Sequence, residues 1–188
     1  MHEGEHHPTT SASSRRALGW LAASATIVIV ALAGFGVEHT PNYGFRLFGT
    51  SGADAMSLKS KIATGLLALA LVQLLLALWM YRRLPGAGPP PRQVPRIHRT
   101  VGAVLFLASL PVAVHCMFAY GLQTTSARVT VHSLAGCFFY GAFLAKVLVV
   151  RSRRLPGWLL PVMGGTLITL VAVLWLSSAL WFLNGQHV

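Results

Sequence analysis

Acidic residues are almost missing from this chain: Glu3, Glu5, Glu38 and Asp54 are its only carboxylate side chains, against 15 lysines and arginines. Charged residues of both signs make up 10% of the 188 residues, whereas soluble domains carry about 25%. None of the four acids lies inside an apolar stretch. Ion-coupled transporters usually need a membrane-embedded carboxylate, so that scarcity argues against a proton- or sodium-coupled carrier. Cysteine is scarce as well. Cys116 and Cys137 form neither a CxxC nor a CxxCH pattern, which leaves a zinc ribbon, a thioredoxin motif and a covalently attached c-type haem without support. Both fall in apolar segments and read as small buried hydrophobes, with a disulfide as the lesser alternative. The basic excess does not form a nucleic-acid patch, because the arginines cluster at the ends of apolar runs and no binding motif accompanies them.

Apolar residues, by contrast, make up 54% of the chain, and its mean hydropathy is +0.62. Five stretches, about 17–37, 57–81, 98–121, 129–150 and 158–183, are long enough to cross ~30 Å of hydrocarbon as helices. The first follows Arg15 and Arg16 but is longer than a signal-peptide core and lacks a convincing cleavage site, so it is expected to stay as an anchor. Ten arginines (15, 16, 82, 83, 92, 96, 99, 151, 153 and 154) fall on one side of such a bundle, and Arg46, Lys59, Lys61 and Arg128 on the other. That bias predicts a cytoplasmic N-terminus. The fold expected is all-α, a polytopic membrane bundle of five transmembrane helices in the cell membrane. It divides into a flexible tail (1–16), a two-helix front with an outer loop (17–81), a proline-rich cytoplasmic strap (82–97) and a three-helix back (98–188). The strap segment LPGAGPPPRQVPR carries five prolines and two glycines, so it is expected to be non-helical and to act as a semi-rigid strap. The outer loop EHTPNYGFRLFGTSGADAMS is longer than a connection needs and is expected to pack over the outer mouth.

Two histidines occupy apolar stretches, His115 in LPVAVHCMFAYGL and His132 in ARVTVHSLAGCFFYG. His115 lies six residues before Gly121 and His132 six residues after Ser126, so a hairpin sets both about 9 Å inside the outer helix ends. Ionisable side chains at such depth are costly and usually face a bundle interior or a ligand. Two neutral imidazoles at one depth suit the axial positions of a b-type haem. Gly136, one turn beyond His132, would let a flat macrocycle lie against the helix, and Arg128, one turn before it, would meet a propionate. Phe118, Tyr120, Phe138, Phe139 and Tyr140 would supply apolar walls. The plainer alternative is that each histidine bonds a neighbouring helix and locks the bundle. A hairpin packed at ~8–10 Å is tight for haem, so the pair would have to splay or to reach toward a groove formed with helices one and two.

Other histidines are less pointed. His98, in RIHRTVG at the inner edge, is 17 residues before His115 and off its face by about 100°. A second haem there would need another ligand, and a quinone contact, a lipid-headgroup contact or a plain interfacial histidine are its other readings. His39 is a reserve ligand for the outer site. His2, His6 and His7 form a terminal cluster suited at most to weak metal binding. Lys146 is expected to snorkel to the cytoplasmic face.

The motifs HRTVG, VHC, VHSLAGC and AKVLVVRSRRLPGW, spread over residues 96–183, resemble those of a family of uncharacterised bacterial five-helix membrane proteins. More loosely, the chain is similar to b-type cytochrome membrane subunits with bis-histidine haem. That second resemblance implies electron transfer between quinone and a redox protein partner, with lipid as solvent and no nucleic acid. It has too few intramembrane histidines for two haems. The expectation is one haem b near the outer face, ligated by His115 and His132. The alternative is a non-enzymatic accessory or assembly subunit of a respiratory membrane complex.

Overall fold

The computed structural model describes residues 12–152 and 155–185, and among them every regular element is helical. The order is α1 (Ala12–Glu38), α2 (Gly52–Met80), α3 (Val94–Tyr120), α4 (Ala127–Arg151), α5 (Leu159–Ser177) and a short α6 (Ala179–Leu183). α5 and α6 together make one apolar span, so five segments are long and apolar enough to cross a membrane. His2, His6, His7, Arg153 and Arg154 lie outside the described residues. We call the arginine-rich side of the bundle inner and the opposite side outer.

Each helix end has a local cause. α3 begins at Val94, one turn before the apolar run, because Pro95 sits in its first turn, where no backbone N–H is missed. His98 therefore lies inside the helix rather than at its mouth. Ser126 caps α4, its hydroxyl accepting from the Val129 N–H. α3 stops at Gly121, whose φ of +66° favours glycine. α5 gives way to α6 at Ser178, whose hydroxyl and that of Ser177 turn back onto α5 carbonyls.

Packing follows neither chain order nor the front-and-back division. α1 runs along α4 and reaches α3 only marginally, whereas α2 packs on α3, α5 and α6, and α4 on α5. The helices before the strap are thus set against those after it. Lipid offers little hydrophobic drive for association, so close approach and hydrogen bonds hold such contacts. Gly141 provides the approach between α4 and α1: a Cβ there would fall 2.5 Å from Ile29 Cγ1 and 3.0 Å from the Ala25 carbonyl. Gly136, Gly164 and Gly165 have open space instead. Interhelical bonds include Trp175 Nε1 donating to Thr64 Oγ1 at 3.0 Å and Gln73 Nε2 donating to the His98 carbonyl at 2.6 Å.

α3 and α4 are successive in sequence, yet their backbones stay apart along most of their length. Long side chains bridge the gap. Phe106 stacks on Phe143 with centroids 3.9 Å apart, and Ser109 Oγ lies 3.0 Å from Tyr140 Oη. The α3–α4 hairpin is therefore held by side chains rather than by close backbone approach. Its outer end is roofed by the long loop: the Asn42 N–H donates to the Phe118 carbonyl, Phe45 stacks on Phe118, and Leu47 is buried.

Candidate functional site

The outer half of the bundle collects polar side chains from four helices. His115 comes from α3, His132 from α4, Lys59 from α2 and Ser177 from the end of α5. Antiparallel contacts place the two histidines nearly level. Phe106 against Phe143 and Ser109 against Tyr140 set the α3–α4 register, which puts His115 opposite Leu134, two residues or about 3 Å from the depth of His132.

His115 is 2% exposed; neither ring nitrogen has a hydrogen bond of good geometry, and the nearest polar group is the Phe45 backbone, close enough to interact with the ring. Phe45 and Tyr120 flank its ring, with centroids 6.0 and 5.9 Å away. An imidazole always carries at least one N–H or lone pair to satisfy, and leaving a buried one unmade costs about 1–3 kcal/mol. This is the unpaid polar group that a ligand would repair.

His132 is differently placed. Its Nδ1 lies 3.0 Å from Ser177 Oγ, whose own hydrogen is directed to the Val173 carbonyl at 2.6 Å. The hydroxyl's one proton being engaged, His132 Nδ1 is the donor, and the neutral ring keeps its lone pair on Nε2. Metal-ligating histidines are commonly oriented in this way through their second nitrogen. The Leu174 carbonyl lies on the same side of the ring.

Lys59 is the residue that sequence reading missed as part of the site. It was counted only as an outer-side charge, yet it is 9% exposed and lies with its ammonium 4.4 Å from the centre of the Tyr120 ring. It acts electrostatically on both His115 and His132. Tyr120 in turn donates its hydroxyl to Met56 Sδ at 3.8 Å. A depth count would have found Lys59: it stands seven residues into α2, about 10 Å below the helix end. The acids of the described residues, Glu38 and Asp54, are exposed at helix ends, so this buried ammonium has a ring face but no carboxylate.

The remaining expected residues divide. Arg128 donates from Nη1 to the Ser177 carbonyl at 2.6 Å and lies over the Trp181 ring at 3.9 Å, clasping the α5–α6 junction while staying near His132. His39 Nε2 bonds the Phe118 carbonyl, and its ring stacks on Phe35, so it serves the roof. Gly136 faces open space: an added Cβ would meet no atom within 4 Å. Phe139 is in the core, but Phe138 points outward, 49% exposed. Both cysteines are free thiols. His98 lies at the other end of α3 and takes no part in the outer cluster.

Sequence comparison adds one finding: a family profile matches residues 18–188, nearly the whole chain. The chain belongs to DUF6529, a family of unknown function. No curated protein and no solved structure matches it. This DUF6529 member thus carries an apolar bundle with a buried, cation-bearing histidine cluster as its most distinctive chemical feature.

Among the described residues no three His, Cys, Asp or Glu side chains converge, whereas structural ion sites usually take four protein ligands. Haem iron brings four equatorial nitrogens of its own and asks the protein for two axial ones.

Proposed function

We propose that this DUF6529 protein is a membrane electron-transfer protein that binds one haem b in the outer half of the bundle, with His115 and His132 as axial ligands. The observation that carries the reading is His115: an imidazole buried in an apolar bundle with neither ring nitrogen in a hydrogen bond of good geometry. For His132 alone, the Ser177 bond would equally suit a structural histidine. His115 has only the looser approach of the Phe45 backbone, which leaves at least one nitrogen free for a ligand.

In this reading each residue has a physical task. Ser177 holds the His132 ring with its lone pair on Nε2. Phe45, Phe118 and Tyr120 keep water from the His115 side. Lys59, and behind it Arg128, offset the negative charge of the propionates. Haem b, when bound, supplies a one-electron couple whose potential the protein sets through burial and neighbouring charge. A quinone or a redox protein exchanging electrons with it belongs to the same proposal, as does residence in the cell membrane with the histidine cluster on its outer side.

An absorption spectrum of the protein, purified after expression with ample haem supply, tests the proposal. The expected result is a Soret band that sharpens and shifts on reduction. Its absence in folded, monodisperse protein would falsify the reading. His115→Ala and His132→Ala should each remove the low-spin bis-histidine spectrum without preventing membrane insertion.

A further inference from the structure

The inner end of the α3–α4 gap holds a second polar group that the outer site does not use. Leu105 of α3 and Phe139 of α4 share the central core cluster. Moving seven residues inward along each antiparallel helix leads from Leu105 to His98 and from Phe139 to Lys146. Seven residues are close to two turns, so both stay on the faces that meet in the core. On the register set by Phe106–Phe143 and Ser109–Tyr140 the Lys146 backbone stands five residues outward of His98, about 7.5 Å, a span its long side chain covers by extending inward, and its charge is felt at the His98 ring.

His98 is held from α2: Gln73 Nε2 donates to its carbonyl at 2.6 Å. Gly102 makes room for this bond, since a Cβ there would fall 3.3 Å from that same nitrogen. Despite the support, His98 Nδ1 is buried without a partner. Lys146 is half-buried and five residues from the end of α4, about 7.5 Å inside it. Glu38 and Asp54, the acids of the described residues, both lie at the outer end. Arg82, Arg83, Arg96, Arg99 and Arg151 raise the positive potential around the opening further.

We propose that His98 and Lys146 form a binding site for a phosphate group, and that its source is the headgroup of an anionic phospholipid in the inner leaflet. A neutral carbonyl ligand such as a quinone would satisfy the imidazole but leave the ammonium uncompensated; a phosphate oxygen satisfies both. Basic pockets between spans on the cytoplasmic side are known to take anionic headgroups in this way. The start of α3 adds its dipole in the same sense. Phe106, Tyr140 and Phe143 fill the gap between this site and the outer cluster, so it is independent of the haem reading.

The test uses the full chain in nanodiscs of phosphatidylcholine doped with phosphatidylglycerol, with retained lipid counted after purification. Preferential retention of phosphatidylglycerol, lost by about tenfold in Lys146→Met and in His98→Phe as expected for a charge-assisted contact, supports the proposal. Lys146→Arg should recover most of the retention, and Arg92→Gln, which removes an inner-side charge away from the gap, should leave it unchanged. Equal retention in native and variant chains overturns the site. Thermal stabilisation by inorganic phosphate alone, with no preference between the two lipids, overturns the lipid as its source. Each variant is checked as monodisperse by size exclusion, and Lys146→Arg with Arg92→Gln decides the matter should Lys146→Met fail to fold.

Discussion

Lys59 and Tyr120 meet face to cation at the outer mouth of the bundle, the ammonium 4.4 Å from the ring centre. One comes from the third turn of α2 and the other from the last turn of α3. The contact ties those helices together, and the charge of the ammonium is felt at both His115 and His132. A ring face offsets part of the cost of burying a cation, worth up to about 2 kcal/mol when desolvated. It does not neutralise the charge.

Removing that charge should weaken an anionic ligand without removing the axial donors. Lys59→Met is expected to keep the bis-histidine spectrum while lowering haem affinity by about tenfold or more, since a hydrogen bond to a charged group contributes about 1.5–3 kcal/mol. Haem titration into apo-protein in detergent measures it. Unchanged affinity would mean that the propionates lie elsewhere.

Ser177 orients His132, so Ser177→Ala frees the ring to choose its tautomer. Loss of such a supporting bond typically costs 10–100-fold in metal affinity, that is, on the order of 1.4–2.7 kcal/mol. Retention of haem through purification should fall accordingly. A Ser177→Thr chain keeps the hydroxyl and should retain it.

The α1–α4 contact depends on a missing side chain. Gly141→Ala would put a methyl 2.5 Å from Ile29 Cγ1 and 2.8 Å from its Cδ1. Overpacking of this kind costs about 1–3 kcal/mol, so the thermal unfolding temperature should drop clearly. Gly164→Ala, where nothing lies within 4 Å, is the matched control and should be neutral or slightly stabilising.

Topology is open to direct labelling. With Cys116 and Cys137 replaced by alanine, a cysteine at exposed Ala87 in the strap should react with a membrane-impermeant maleimide only after cells are permeabilised. One at exposed Ser51, in the outer loop, should react in intact cells. The reverse pattern would invert the orientation drawn from the arginines.

Much of the molecule could be read from residue order. The span count follows from hydropathy, and the break in helix through the proline-rich strap from proline content, although α3 already begins at Val94 inside the expected strap, since Pro95 is tolerated in a first turn. Depth was legible too, because helical rise converts residue number directly into distance along the membrane normal. That is why His115 and His132 were found and why Lys59 could have been.

Direction around each helix was not legible. A span bathed in lipid is apolar on nearly every side, so no amphipathic stripe marks its inward face. The packing of α1 on α4, the commitment of Arg128 to the Ser177 carbonyl and Trp181, and the pairing of His98 with Lys146 rest on which faces meet. Those choices belong to tertiary structure, because close approach at Gly141 and hydrogen bonds between distant helices decide them. Residue order alone determined what crosses the membrane and how deep each polar group lies; three-dimensional packing decided which of those groups face one another.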